Sequence, residues 1–167
     1  VRWIEERQEH LLSACHARDQ VHDVEVGFDA EGRVLAFRDD FLVDGGAWTP
    51  LGITCAYNTA VHLLGPYRIA NFAASSRTVA TNKVPNAPYR GAGRPEATFA
   101  IERTIDLIAR TLGLVPSEVR RRNMIRPDEM PWPVGLTYRD GEPIVYDSGD
   151  FPGGLDKVLD AIGGLTA

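Results

Sequence analysis

The sequence predicts an α+β fold in which hairpins or a mixed sheet pack against helices. Residues 22–43 alternate apolar and polar side chains with the period of two that β-strands have. Residues 95–112 instead repeat apolar side chains with the spacing of one helix face. A chain of 167 residues is long enough to bury a core around both patterns.

The alternating segment is predicted to be a β-hairpin that runs from His22 to Val43. Residues 29–32 contain the aspartate and glycine that are typical of a connecting turn. On the first strand the apolar residues alternate with Asp23 and Glu25. The residues predicted to face the core are Val24, Val26, Phe28, Leu35, Phe37, Phe41 and Val43.

The stretch from residue 45 to residue 67 contains no Asp, Glu, Lys or Arg. Because Pro50, Asn58 and His62 interrupt it, a membrane span is disfavoured. A buried wall of the kind that lines pockets is favoured instead. Within this stretch, residues 53–64 are apolar and small enough to form a packed helix.

The most strongly patterned element is a helix over residues 95–112. Pro95 suits the first helical position, the glutamate after it suits the positive end of the helix dipole, and Gly113 suits the residue that ends the helix. Asp106 is spaced to pair with Arg110 on the polar side. The apolar stripe consists of Ala97, Ile101, Ile105, Ile108 and Leu112.

Shorter elements are predicted on both sides of this helix. Residues 72–81 suit a strand with weak facial bias, and a short helix starts at Pro116. The basic run 120–122 is interpreted as the solvated side of that helix. A small hairpin is predicted around residues 138–146, and a last helix over 155–162 ends at two glycines.

Composition limits the classes of function. The formal charge is −5 at pH 7 with both signs interspersed, which argues against nucleic acid as the main partner. Cys15 and Cys55 form no CxxC pair, so a reduced, cytoplasmic setting is expected. His10, Cys15, His16 and His22 match no metal-ligand spacing. The chain begins with valine and has no signal-peptide pattern, so a piece cut from a longer chain is expected.

The stretch 86–103 raises the question of function, because it reads NAPYRGAGRPEATFAIER. Prolines stiffen the approach, and two glycines let the main chain come close to another group. The loop runs into the predicted helix, whose free N–H groups favour an anionic or oxygen-rich ligand. Arg90 or Arg94 can add positive charge. Nucleotide binding is disfavoured because GK[ST] and the third glycine of GxGxxG are missing. A tight turn whose arginines bond to carbonyls or carboxylates stays open as the alternative.

Several phrases in order resemble the molybdopterin-binding large subunit of the xanthine dehydrogenase and aldehyde oxidase family, the molybdenum hydroxylases. They are RWIEERQEHLLSACHARDQ, DGGAW, GPYRIANFAASSRTVATNKVPNAPYRGAGRPEATFAIER and LGLVPSEVRRRNMI. The resemblance implies an internal fragment of the molybdenum-cofactor-binding region of a larger subunit. Its parts are a hairpin, helix and strand part over 1–84, a cofactor-facing loop over 85–94, and a helical part with a small hairpin over 95–167.

The resemblance also implies a reaction. The family hydroxylates aldehydes or N-heteroaromatic rings with water as the oxygen source, using a molybdenum-molybdopterin cofactor and a glutamate base. Electrons leave through 2Fe-2S centres and FAD in partner domains or subunits. The base is expected outside this chain, since Glu96, Glu102 and Glu118 lie at helix starts or on helix faces. The isolated chain is therefore expected to be inactive; a non-catalytic binding or assembly module of the same ancestry is the alternative.

Site residues follow from the matched loop. Arg90 matches the family arginine that contacts the molybdenum cofactor, and Tyr89 and Gly91 flank it. Ala92 stands where xanthine-oxidising members place an aromatic that stacks on the substrate, and Gly91 stands where CO dehydrogenases place the cysteine that carries copper. Asn58 falls near the arginine that orients purines, so the resemblance implies a substrate-binding residue that can hydrogen-bond a carbonyl or ring nitrogen; a satisfied core amide stays open as the alternative. These departures favour an aldehyde or another N-heteroaromatic substrate over xanthine or CO.

Overall fold

The computed structural model describes residues 1–48 and 52–164, and these ranges contain the predicted mixture of sheets and helices. In chain order the elements are α1 (Arg7–Ser13), β1 (Gln20–Phe28), β2 (Val34–Gly46), α2 (Gly52–His62), β3 (Asn71–Ala80), α3 (Arg94–Leu112), α4 (Pro116–Asn123), a 3₁₀ turn (Pro127–Glu129), β4 (Trp132–Thr137), β5 (Pro143–Tyr146) and α5 (Phe151–Ala161). The α+β fold class is confirmed. The short helix α1 was not predicted.

The predicted hairpin is confirmed, with one correction at its turn. Strands β1 and β2 pair antiparallel, but their register shifts next to Phe28, which lies opposite Val34. The shift reverses the alternation that the sequence suggests, because one extra residue of β2 is accommodated there. Val34 is therefore buried, whereas Leu35, predicted to face the core, is 52% exposed.

Strand β3 joins the other edge of β2 in parallel, and α2 forms the crossover between them. The predicted strand and helix are both confirmed. Helix α2 contacts β2, β3 and α3, so much of the uncharged stretch forms the expected buried wall. Pro50, named above in this stretch, lies outside the described residues. Among the described residues, no helix is long and apolar enough to cross a membrane.

Helix α3 supplies the centre of the core. Ala97, Ile101, Ile105 and Ile108 are each at most 1% exposed, and burying one isoleucine stabilises a fold by about 1.5–3 kcal/mol. Gly113 ends the helix in the left-handed conformation, as predicted, and its N–H bonds the carbonyls of the last turn. The predicted Asp106–Arg110 pair does not form, because other arginines bind that carboxylate.

The three consecutive arginines of α4 are half-buried rather than solvated, which corrects the interpretation of the basic run. Arg120 reaches across to α3, where its guanidinium lies 2.7 Å from Glu102 and 2.9 Å from Asp106. Arg121 pairs with Asp156 of α5. The run therefore joins α4 to the helices before and after it.

The predicted small hairpin forms from β4 and β5, which pair antiparallel. It is attached to the α2 side of the molecule by two tyrosine hydroxyls. Tyr57 donates to the carbonyl of Thr137 at 2.6 Å, and Tyr146 donates to the carbonyl of Gly65 at 2.9 Å. These bonds bring Tyr138, the residue after β4, close to α2 and to the start of α3.

Candidate functional site

The glycine-bearing loop turns sharply before it enters α3. Gly91, Ala92 and Gly93 have φ angles of 98°, 45° and 98°, three left-handed residues in succession. Alanine pays a steric cost in that region, whereas glycine does not. Within the turn the Ala92 N–H donates to the Tyr89 carbonyl at 2.6 Å, and the Arg94 N–H donates to the Gly91 carbonyl at 3.1 Å. The turn therefore delivers the chain directly into the first residue of α3.

Gly93 lies against α2 at a distance that only glycine permits. A Cβ atom there would lie 2.4 Å from the carbonyl oxygen of Cys55 and 2.8 Å from the backbone nitrogen of Thr59. The Thr59 hydroxyl lies 3.0 Å from the Cys55 carbonyl and 3.1 Å from the Gly93 carbonyl, to both of which it can donate. Backbone contact with α2 thus fixes the end of the loop.

Asn58 holds the middle of the loop. Asn58 is only 2% exposed, and its side-chain amide nitrogen donates a hydrogen bond to the Ala92 carbonyl at 2.9 Å. The amide oxygen accepts from the Tyr138 hydroxyl at 3.1 Å. Both ends of the amide are therefore engaged within the chain, and the small hairpin is linked to the loop through it.

Arg94, one of the two arginines considered for ligand charge, turns back onto the chain. Its Nε donates to His62 Nε2 at 3.1 Å, and a terminal nitrogen lies 3.3 Å from the Gly91 carbonyl. His62 Nδ1 lies 2.7 Å from the Asn58 carbonyl, so the imidazole is neutral with its proton on Nδ1. Burial lowers the pKa of His62, and the nearby Arg94 charge lowers it further.

Arg90 and Arg94 are both exposed, but the Arg90 side chain, unlike that of Arg94, makes no hydrogen bond or ion pair with the described part of the chain. The backbone N–H groups of Arg90, Gly91 and Gly93 likewise have no partner within residues 1–48 and 52–164. Tyr89 beside them is 65% exposed. The loop thus presents a free guanidinium and several free amides at the start of α3.

Three residues of this site were missed by sequence reasoning: Arg18, His62 and Tyr138. Arg18 donates to the Arg90 carbonyl from 72 residues away in the sequence. Arg18 lies within one of the phrases that resemble the family, but nothing in that phrase marks it as a site residue, because the roles of all three residues arise from contacts that only the folded chain creates. The predicted residues do converge, since Tyr89, Arg90, Gly91 and Ala92 share one turn and Asn58 bonds to it.

A groove of about 700 Å³ between β1 and α3 lies beside the site rather than in it. Arg18 and Glu96 line one end of the groove, and Phe99 and Leu107 contribute its apolar part. Arg90 and Ala92 are not among its lining residues. The groove therefore adjoins the loop at Arg18 but is not part of the candidate site.

Within the described residues, the glycine turn combines an exposed arginine that has no hydrogen-bond or ion-pair partner with unpaired amides at a helix start, which is the kind of surface that suits an anionic cofactor. The sequence profile of the molybdopterin cofactor-binding domain family matches residues 1–124. The chain belongs to this family, and with it to the molybdenum hydroxylases of the xanthine dehydrogenase type. The resemblance inferred from the loop phrases is thereby confirmed.

The chain is similar to several characterised proteins over almost all of its length. It is 40% identical over 162 residues to the 6-hydroxypseudooxynicotine dehydrogenase complex subunit gamma of Paenarthrobacter nicotinovorans, covering 96% of this chain and 20% of that protein. It is 37% identical over 147 residues to the nicotine 6-hydroxylase large subunit of the same organism, covering 84% and 18%. The crystal structure of quinoline 2-oxidoreductase from Pseudomonas putida 86 superposes with a TM-score of 0.80 at 36% identity, covering 96% and 20%. The chain thus spans about a fifth of the length of these relatives.

The donors of the loop fit a molybdopterin cofactor. Such a cofactor carries phosphate and other oxygen-rich groups, which are bound by free N–H groups at a helix start and by guanidinium. The exposed side chain of Arg90 and the unpaired amides beside it supply both kinds of donor. The buried amide of Asn58 and the backbone contact at Gly93 keep these donors in place without the ligand.

Proposed function

We propose that this chain is part of a molybdenum hydroxylase that hydroxylates an N-heteroaromatic or aldehyde substrate with water as the oxygen source. The observation that carries the proposal is the turn over residues 89–93, in which the Arg90 guanidinium and the backbone N–H groups of Arg90, Gly91 and Gly93 have no partner in the described chain. The bound cofactor supplies the two-electron oxidation. The protein places and polarises the cofactor. Because the glutamate base is proposed to lie outside this chain, the isolated chain is inactive.

Arg90 is the principal cofactor contact in this proposal, and Tyr89 and Gly91 are its neighbours on the same turn. Donors held rigidly by the surrounding fold stabilise charge without having to reorganise during the reaction. Three features support that rigidity: the left-handed turn, the contact of Gly93 with α2, and the bond from Asn58 to the loop.

Ala92 is proposed to border the substrate, and its methyl group leaves room where an aromatic side chain would stack. Asn58 is proposed to act on the substrate pocket through Ala92, because its amide is already occupied by the Ala92 carbonyl and by Tyr138. Both residues then shape the pocket without supplying a charged contact to the substrate. A neutral aromatic substrate suits a pocket surface that is formed by uncharged residues of this kind.

An N-heteroaromatic substrate is favoured over an aldehyde. Two of the similar proteins are named for nicotine and quinoline, which both contain an aromatic nitrogen ring. This chain is proposed to work with the remainder of its large subunit and with 2Fe-2S and FAD subunits or domains. Its thiols, an exposed Cys15 and a buried Cys55, are free, which supports a cytoplasmic location.

The glutamate base is proposed to lie outside this chain. Each of the three glutamates considered in the sequence is ion-paired to an arginine. The pairs are Glu96 with Arg18, Glu102 with Arg120, and Glu118 with Arg121. Each of these carboxylates is therefore already engaged in a contact within the chain.

The test uses the full-length protein with its partner subunits, purified after cofactor maturation. Molybdenum is quantified per large subunit, and turnover is measured with quinoline and with benzaldehyde in isotopically labelled water. We expect bound molybdenum and incorporation of the labelled oxygen into the quinoline product. A matured complex without molybdenum would favour the non-catalytic module, and turnover of benzaldehyde alone would reverse the substrate class.

A further inference from the structure

Arg18 connects the cofactor loop to the first turn of α3 although it lies outside both. One terminal nitrogen of its guanidinium donates to the Arg90 carbonyl at 2.5 Å, and the other lies 3.1 Å from a carboxylate oxygen of Glu96. The guanidinium carbon also lies 5.1 Å from the centre of the Tyr89 ring, over its face. One side chain thus contacts the two exposed residues of the turn and the first turn of α3.

The ion pair between Arg18 and Glu96 anchors this arrangement, because the Glu96 side chain is almost fully buried. The Glu96 side chain is 7% exposed and the Arg18 side chain 33% exposed. A carboxylate buried to that degree needs a charged partner, because removal of the partner leaves an unpaired charge in a medium of low polarity. Glu96 therefore anchors the Arg18 guanidinium to the start of α3.

The backbone of Arg18 supports a specific role for its side chain. Its φ angle of 73° lies in the left-handed region, which is costly for a residue with a long side chain. Such a conformation persists when surrounding contacts determine it. Around Arg18, backbone hydrogen bonds hold the flanking residues His16 and Asp19, and the guanidinium adds its three contacts.

We infer that Arg18 is a positioning residue that sets the direction of Arg90 toward the cofactor. The Arg90 side chain makes no hydrogen bond or ion pair within the described residues, so no polar partner there directs it and its backbone sets where it starts. Arg18 holds that backbone at the Arg90 carbonyl, while its guanidinium stacks on the preceding Tyr89 ring. The inference rests on the proposed function, in which Arg90 contacts the molybdenum cofactor.

The test compares Arg18→Lys, Arg18→Gly and the control Arg110→Lys in the full-length, matured complex. Lysine keeps a charge for Glu96 but lacks the planar fork that also reaches the Arg90 carbonyl. Glycine keeps the left-handed backbone without strain and removes every side-chain contact. Arg110 lies exposed near the other end of α3, and its replacement should leave turnover unchanged.

The measurements are molybdenum content, the electron paramagnetic resonance spectrum of the partly reduced enzyme, and turnover per bound molybdenum. For Arg18→Lys we expect near-normal molybdenum content, an altered spectrum and a fall in turnover per molybdenum of about 10-fold, since a small misplacement can cost as much as about 100-fold. The fall should appear in kcat more than in KM. Arg18→Gly should lose more.

The outcomes separate this inference from the proposed function. Wild-type complex without molybdenum would overturn the proposed function and the inference with it. Wild-type complex with molybdenum, together with an Arg18→Lys variant of unchanged spectrum and unchanged turnover per molybdenum, would overturn the inference alone. A lower melting temperature without those two changes would assign Arg18 a purely structural role. If Arg18→Gly fails to fold, Arg18→Lys decides the question.

Discussion

The side-chain amide nitrogen of Asn58 lies 2.9 Å from the carbonyl oxygen of Ala92, to which it donates a hydrogen bond across 34 residues of sequence. Because Asn58 is buried, no water replaces this bond when it is lost. The amide oxygen is oriented by the Tyr138 hydroxyl, which fixes which end of the side chain donates. The loop conformation therefore depends on α2 and on the small hairpin together.

Replacement of Asn58 by aspartate should destabilise the loop. A carboxylate cannot donate to the Ala92 carbonyl, and a buried donor or acceptor left unpaired costs about 1–3 kcal/mol. We expect a lower melting temperature of the full-length complex and lower turnover per molybdenum. Asn71→Asp is the control, because Asn71 also donates to a backbone carbonyl but is exposed. Equal melting temperatures for the two variants would contradict the role of Asn58.

Replacement of Arg90 by alanine should reduce molybdenum content or turnover while the fold stays intact. The guanidinium has no partner within the described residues, so its removal breaks no bond that holds them together. Metal analysis and circular dichroism of the full-length complex measure the two effects separately. Arg110→Ala is the matched exposed control. Normal metal content and normal turnover of Arg90→Ala would remove Arg90 from the cofactor site.

The sequence predicted those parts of the fold that local patterns encode. The stripe of α3 fixed both the helix and its buried face, because Ile101, Ile105 and Ile108 recur at helical spacing. At the hairpin turn the same reasoning failed for Leu35, since a register shift next to Phe28 moves one residue to the opposite face. Alternation along one strand does not reveal the register of its partner.

Apart from Asn58 in α2, the site residues predicted from the sequence all lie in one loop. Tyr89, Arg90, Gly91 and Ala92 are consecutive, so a motif identifies them together. Arg18 was missed because its partners come 71 to 78 residues later in the sequence. The Arg90 carbonyl is 72 residues away, and the Glu96 carboxylate is 78 residues away. Contacts of this kind leave no periodic signal in the sequence.

Replacement of Gly93 by alanine should destabilise the domain severely. The added Cβ would lie 2.4 Å from the Cys55 carbonyl, and a φ of 98° is unfavourable for alanine. Gly113→Ala is the matched variant, because Gly113 also has a positive φ but has open space around its Cβ position. We expect a loss of about 1 kcal/mol for Gly113→Ala and more than about 3 kcal/mol for Gly93→Ala. Similar melting temperatures or yields for the two variants would contradict close packing of the loop on α2.

Replacement of Ala92 by phenylalanine should change substrate preference. The residue is half-buried beside Gly91, and a large ring there would narrow the proposed substrate wall. We expect kcat/KM for a bicyclic heteroaromatic substrate to change relative to kcat/KM for a small aldehyde. Ala92→Gly is the control, since it keeps the left-handed φ of 45° without adding volume. Unchanged ratios in the phenylalanine variant would remove Ala92 from the pocket.

Acid should weaken the loop through His62. The folded chain needs neutral His62, because its Nε2 accepts a hydrogen bond from Arg94, and burial lowers the pKa of His62 below its ordinary value of 6.5. In the unfolded state the same imidazole gains a proton near pH 6.5, so its contribution to stability is complete above that pH. The contribution is lost as the pH falls toward the lowered pKa of the folded state.

The measurement for His62 is the melting temperature of the full-length complex between about pH 7.5 and pH 5. Wild type should lose more stability over this range than His62→Gln, whose side chain does not titrate. Every other histidine and carboxylate is present in both proteins, so the difference between the two curves isolates His62. Parallel curves would mean that protonation of His62 does not lower the stability of the folded chain. The hydrogen bond from Arg94 would then not require a neutral His62 imidazole.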